Sequence, residues 1–190
     1  MWTKLASLSA PFEKLFYRNT SFILTKYQTF GPRFWAAVID GFVLAPISLL
    51  DDYLKELLLV NSGILIIWTI IAMSAYQIYS VLMHGKYGQT IGKKVMQVKI
   101  VNFPNETSIS YRTAFIRDLP YAILVTIDIL VAIVLILSPT LKDNSMLTLI
   151  TDLLGYAGLV WFLVEIVTML FNQQNRAVHD IIAKTVVIKI

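Results

Sequence analysis

The stretch LPYAILVTIDILVAIVLIL, at residues 119–137, decides the fold because it holds one charged residue, Asp128, in nineteen positions. A helix rises 1.5 Å per residue and the hydrocarbon core of a bilayer is about 30 Å thick, so about 20 apolar residues cross it. Three other stretches have the same character, at 34–50, 63–83 and 147–171. The sequence therefore predicts an all-α membrane protein, a bundle of four transmembrane helices.

The composition agrees with a membrane protein, since 57% of the 190 residues are hydrophobic and 15% are charged. A soluble domain of this length has too much surface to remain in water with so few charges. The loops are too short to fold separately, so residues 31–190 are expected to form one membrane domain. Residues 1–30 interleave aromatic and basic side chains, which favours a segment along the membrane interface over a disordered tail.

Basic residues predict the orientation. In a four-span arrangement, all lysines and arginines except Lys55 and Lys142 fall on one side of the membrane. The positive-inside rule then places both termini in the cytoplasm, and we expect a protein of the cell (inner) membrane. Because the basic residues lie beside apolar spans, we expect them to bind anionic lipid headgroups at the cytoplasmic face rather than nucleic acid.

A small β element is expected on the same side. Met96, Val98 and Ile100 alternate with polar residues, which is the periodicity of a strand, and residues 185–190 are rich in β-branched side chains. Because a single strand is unstable, we predict that the two segments pair as a two-stranded cytoplasmic ribbon.

Buried acids are the candidate functional groups. Asp40, Asp128 and Glu165 lie on three different spans, each about 10–13 Å from the cytoplasmic edge. Tyr76 and Gln77 on the second span lie near the same depth. Carboxylates lined by hydroxyl and amide groups suit a monovalent cation or a proton. The alternative is that the acids pair with arginine or lysine and only fix the packing of the helices.

Enzymatic and cofactor sites are not expected. The run Gly88-Gln-Thr-Ile-Gly-Lys-Lys94 is one residue too short between its glycines for a phosphate-binding loop and lacks a Ser or Thr after the lysine. We interpret it as a tight turn followed by a basic patch that faces lipid. His84 and His179 have no metal-binding spacing, no catalytic triad is apparent, and the chain has no cysteine, so neither a metal nor a cofactor is predicted.

Three motifs resemble the RDD family of membrane proteins. They are Arg33-Phe-Trp-Ala-Ala-Val-Ile-Asp40, the Gly88–Lys94 run with the Gln97-Val-Lys-Ile-Val that follows it, and Arg176-Ala-Val-His179-Asp180. The resemblance covers residues 31–190. The family is named for one arginine and two aspartates, which match Arg33, Asp40 and either Asp180 or, as the alternative, Asp118. Transport has been proposed for the family, and sodium/proton antiport is attributed to some members.

The spacing of the first motif separates the roles of its two charged residues. Arg33 and Asp40 are two helical turns apart, about 10 Å, which is too far for an ordinary ion pair. We expect Arg33 to meet Asp180 or Asp118 and to form a latch, together with Arg176 and His179, that holds the tail to the bundle. Asp40 is then left facing inward alone.

The expected function is that of a small secondary transporter that exchanges Na⁺, Li⁺ or K⁺ for protons, and we expect it to be a homo-oligomer. The alternative is a scaffold or accessory subunit that transports nothing and binds lipids or a partner protein.

Overall fold

The computed structural model describes residues 25–59 and 61–190, and the elements follow one another along the chain. They are α1 (Phe30–Leu58), α2 (Ser62–Tyr87), α3 (Ile91–Val95), β1 (Val98–Asn102), α4 (Tyr111–Leu137), a 3₁₀ turn (Pro139–Asp143), α5 (Ser145–Phe171), α6 (Val178–Ile182) and β2 (Thr185–Lys189). Among the described residues, four helices (α1, α2, α4 and α5) are long and apolar enough to cross a membrane. The predicted four-span fold is confirmed.

All four helices are longer than the spans that the sequence predicted, and α1 and α4 differ the most. Helix α1 continues eight residues past position 50, because Asp51 pairs with Lys55 one turn later at 2.6 Å and accepts a hydrogen bond from the indole of Trp68 at 3.0 Å. Helix α4 begins eight residues before position 119, where the hydroxyl of Ser110 accepts a hydrogen bond from the amide of Thr113. Hydropathy marks the apolar part of a helix, whereas these ends are set by polar capping and charge pairs.

The two strands pair antiparallel, from Val98 opposite Lys189 to Asn102 opposite Thr185. Val98, Ile100 and Val187 are fully buried and pack with Ala114 of α4 and Val81 of α2. The sheet therefore lies against one end of the bundle, and the predicted β element is confirmed. We call this part of the molecule, residues 88–110 and 172–190, the sheet end.

The predicted interfacial segment, residues 1–30, lies outside the described residues up to position 24. From residue 25 onward the chain contacts the sheet end: the hydroxyl of Tyr27 donates to Glu106 at 2.7 Å, and Lys26 forms an ion pair with the same carboxylate. The hydrogen bond from Lys26, followed by that from Tyr27, lowers the pKa of Glu106.

The Gly88–Lys94 run contains the predicted turn. Gly88 ends α2 with φ +70°, a conformation that glycine adopts readily, and Thr90 then caps the short helix α3. Helix α3 packs directly on α1, since a Cβ at Gly92 would lie 2.0 Å from the carbonyl oxygen of Ala36. Only glycine fits this contact. Lys94 is exposed and Lys93 is half-buried, and the contact of this patch with lipid stays a prediction.

Candidate functional site

The latch at the sheet end centres on Asp180. Its carboxylate is fully buried and binds two guanidinium groups, that of Arg33 at 2.7 Å and that of Arg117 at 2.9 Å. Burial alone would raise the pKa of Asp180, but Arg33 and Arg117 outweigh it and lower the pKa below the ordinary value. Asp180 therefore remains ionised, and it joins α6 to α1 and α4.

His179 connects the latch to α5. Its Nδ1 lies 2.8 Å from the carboxylate of Glu165, while Nε2 lies 3.2 Å from Arg33 and 2.8 Å from Arg117. Two guanidinium donors at Nε2 require that nitrogen to accept, so the ring proton sits on Nδ1, the nitrogen beside Glu165. Burial lowers the pKa of His179, which agrees with a neutral ring.

Arg176 and Asp118 stand beside the latch without pairing with each other. The guanidinium of Arg176 donates to the carbonyl oxygen of Thr185 at 2.9 Å and lies over the ring of Phe103 at 4.5 Å, so it holds β2 rather than a carboxylate. Asp118 accepts a hydrogen bond from the hydroxyl of Ser80. Of the two candidates for the second aspartate of the motif, Asp180 is the one in contact with Arg33.

Asp40 is not alone. One carboxylate oxygen accepts from the hydroxyl of Tyr79 at 2.7 Å and from the amide of Gly92 at 2.8 Å, and the other accepts from the hydroxyl of Thr90 at 2.6 Å. Within the described ranges, no lysine or arginine forms an ion pair with it. Asp40 thus holds α3 in place through neutral donors, and the expectation of an unpartnered carboxylate is wrong.

Sequence reasoning missed these three donors. Tyr79 lies one turn after Tyr76 on the same helix, so the depth that pointed to Tyr76 also pointed to Tyr79. No pattern in the sequence indicates that Thr90 and Gly92 contact Asp40. They are about fifty positions from Asp40, in a short segment without periodicity.

Two cavities open between the helices beside the latch. The first, of about 210 Å³, is lined by polar groups of three spans (α1, α2 and α4) and of the short helices α3 and α6: Arg33, Asp40, Tyr76, Ser80, His84, Lys93, Arg117, Asp118 and His179. The second, of about 360 Å³, shares Tyr76, Arg117, Asp118 and His179 with the first and adds Gln77 and Glu165. The structure thereby brings Asp40, Tyr76, Gln77 and Glu165 into one region.

Asp128 stands apart from that region. It lies ten residues beyond Asp118 on α4, about 15 Å along the helix axis, and it lines neither cavity. Asp118, by contrast, lines both.

Three polar groups at the cavities have no hydrogen-bond partner in the described part of the chain. They are Nη1 of Arg117, the side-chain amide of Gln77 and Oε2 of Glu165, all buried. Because a buried polar group without a partner is costly, these atoms favour a polar or hydrated content for the cavities. In the same described part, no three His, Asp or Glu side chains are grouped so as to hold a metal ion.

A chain of hydrogen bonds leads from the first cavity to α3. Asp118 accepts from Ser80, whose hydroxyl lies 3.1 Å from Nδ1 of His84, and Nε2 of the same imidazole lies 2.8 Å from the ammonium of Lys93. Burial, reinforced by Arg117 and Arg33, lowers the pKa of Lys93 to about 7. None of Ser80, His84 and Lys93 was a candidate from sequence, because Lys93 was interpreted as part of a basic patch and His84 has no metal-binding spacing.

Comparison with known proteins gives one family. The family model that matches the chain is that of the RDD family, over residues 27–184, a range that includes the latch and both cavities. No curated protein and no solved structure matches the chain.

Proposed function

This chain belongs to the RDD family of membrane proteins, and from its buried charges we propose that it is a secondary transporter that exchanges a monovalent cation (Na⁺, Li⁺ or K⁺) for protons. The observation that carries the proposal is a charge imbalance among the buried groups of the latch and the two cavities. Four carboxylates (Asp40, Asp118 and Glu165 at the cavities and Asp180 in the latch) meet three cationic side chains (Arg33, Lys93 and Arg117) among the described residues. With both histidines neutral and Lys93 protonated, the group carries one excess negative charge.

An uncompensated charge inside a membrane costs several kcal/mol, so a further positive charge is required there. A proton and a monovalent cation both meet the requirement, and each excludes the other from the same carboxylate. Competition at one carboxylate couples the two movements. The imbalance is therefore the physical basis of exchange.

Asp118 is the carboxylate best placed for this exchange. Asp180 is neutralised by two arginines, Glu165 lies 2.8 Å from Nδ1 of His179 and accepts from the backbone amide of that residue, and both oxygens of Asp40 accept hydrogen bonds. Among the described residues, Asp118 has one hydrogen bond, from Ser80, and it lines both cavities. We assign the exchange to Asp118, and we assign to Asp40 the positioning of the neighbouring helix α3. Asp128, which lines neither cavity, takes no part in the proposed exchange.

The proposed orientation places the sheet end in the cytoplasm. The positive-inside rule supports it, because Lys94 and Arg112 at this end are exposed whereas the 3₁₀ turn at the other end contributes only Lys142. The same exposed basic residues suit contact with anionic headgroups. We further propose that the working unit is a homo-oligomer, since four spans form a thin wall around a pathway.

The test is proton flux in proteoliposomes that contain a pH-sensitive dye and receive pulses of NaCl, LiCl or KCl. We expect flux driven by the cation, and we expect Asp118→Asn to reduce it on the order of 10²-fold because the titrating group is lost. Asp128→Asn, on the same helix but outside both cavities, is the matched control and should retain flux. Wild-type protein that behaves like empty liposomes, while a known antiporter works in parallel, would refute the proposal.

A second candidate is a scaffold that transports nothing. The observation that favours it is the latch, where a fully buried Asp180 and two arginines fix the tail to the bundle without any exchangeable group. The same experiment separates the two, because a folded scaffold gives no flux with any cation.

A further inference from the structure

We infer that Lys93, His84 and Ser80 form the path by which protons move between Asp118 and the water at the sheet end, with Lys93 as the outermost group. The inference rests on the proposed function and specifies its proton pathway. It assigns a role to three residues that the latch and the Asp40 contacts do not use.

The geometry is continuous from one end to the other. Lys93 donates to Nε2 of His84 at 2.8 Å, Nδ1 of the same ring lies 3.1 Å from Oγ of Ser80, and Ser80 donates to Asp118. The Ser80 hydrogen is directed at the carboxylate, so the Ser80 oxygen accepts from Nδ1–H and leaves Nε2 free to accept from the ammonium. The hydrogen bonds therefore all point the same way, with each group donating to the next from Lys93 to Asp118.

That arrangement permits a balanced transfer. The Lys93 ammonium passes a proton to Nε2 of His84, Nδ1 releases its proton to Oγ of Ser80, and the Ser80 hydroxyl releases its own proton to Asp118. One N–H or O–H bond breaks and one forms at each step. The result is a neutral Lys93 amine and a neutral Asp118 carboxylic acid, and His84 remains neutral with its proton on the other nitrogen.

Burial distinguishes the inner groups from the outer one. Ser80 and His84 are each 2% exposed, whereas Lys93 is partly exposed on α3. Lys93 is held there because the preceding residue, Gly92, packs on Ala36 and donates its amide hydrogen to Asp40. Lys93 is therefore the most exposed of the three residues and the outer end of the chain of hydrogen bonds.

The surroundings of Lys93 favour release of its proton near neutral pH. The groups that act on it or its partner are Arg33 and Asp40 of α1, His84 of α2, Arg117 and Asp118 of α4, and His179 and Asp180 of α6. Burial and the two arginines outweigh the aspartates, which places the pKa of Lys93 at about 7. A lysine that titrates there is half protonated near neutral pH.

The test uses His84→Gln and Lys93→Arg. Glutamine retains hydrogen bonding but does not relay a proton, and arginine retains the charge but does not release its proton at neutral pH. We expect each to reduce cation-driven proton flux about tenfold or more. In Lys93→Arg, the dependence of the rate on pH near 7 should also disappear. Lys94→Arg, at the adjacent exposed lysine, is the matched control and should behave as wild type.

Exchange of labelled Na⁺ for unlabelled Na⁺ across the same liposomes distinguishes the failures, since it needs the cavity but no proton transfer. Retained sodium exchange with lost proton flux in both variants supports the path. Unchanged proton flux in either variant overturns it while leaving the proposed function intact, and loss of both activities in both variants also overturns it by assigning these residues to packing. Wild-type protein without either flux refutes the proposed function itself.

Discussion

At the scale of single residues, the carboxylate of Asp180 is expected to contribute to the stability of the fold through its two buried ion pairs. Removing its charge leaves Arg33 and Arg117 buried side by side, and breaking a buried pair costs about 3–5 kcal/mol. We expect Asp180→Asn to lower the thermal stability of the detergent-solubilised protein accordingly. Asp152→Asn, at an exposed position of α5, is the control, and equal stability of the two variants would contradict the assigned contacts.

The same residue gives the stability a defined dependence on pH. The pKa of Asp180 is lower in the folded protein than its ordinary value, so the unfolded state binds more protons in acid. The contribution of Asp180 is therefore fully present above its unfolded pKa of about 4 and is lost as the pH falls below that value. Asp180→Asn should unfold with a weaker dependence on pH in this range than wild type.

At this scale, the sequence predicted a contact of Arg33 with Asp180 or Asp118, because the two-turn spacing excluded an ion pair between Arg33 and Asp40. It did not reach Arg117, which shares Asp180 equally, because a basic residue near the end of an apolar stretch is usually explained by the interface. It chose Asp40 for its isolation, and the structure shows three donors from segments that no local pattern connects to it.

At the scale of elements, the contact between α3 and α1 requires a residue without a side chain at position 92. Gly92→Ala places a methyl group 2.0 Å from the carbonyl oxygen of Ala36, a backbone atom that moves only with its helix. We expect a loss of about 1–3 kcal/mol in stability. Gly41→Ala, in α1 where a Cβ meets nothing within 4 Å, should instead stabilise the helix by about 0.5–1 kcal/mol. Unfolding temperatures that move in the same direction would contradict this packing.

The elements themselves were largely accessible from sequence. The length of the apolar stretches predicted all four spans. The alternation of apolar and polar residues and the β-branched content predicted the two strands, because such patterns are local and extend over several residues. The extended ends of α1 and α4 and the helix α3 were not accessible. They depend on a charge pair, a cap and a tertiary contact, none of which changes the mean hydropathy of a window.

At the scale of the whole molecule, the orientation is open to a direct chemical test because the chain has no cysteine. Lys142→Cys in the 3₁₀ turn and Lys94→Cys at the sheet end each remove one positive charge from an exposed position. A maleimide that does not cross membranes should label Lys142→Cys in intact cells and Lys94→Cys only after permeabilisation. The reverse pattern would place the sheet end outside and overturn the proposed orientation.

The pairing of Arg33 with Asp180 has a consequence for biosynthesis. The two residues are separated by the whole of the four spans, so the ribosome must complete all the helices before the partners meet. Until then, Arg33 and Arg117 are inserted without their shared carboxylate. Translation that stops before residue 180 therefore leaves two buried arginines without the acid that neutralises them.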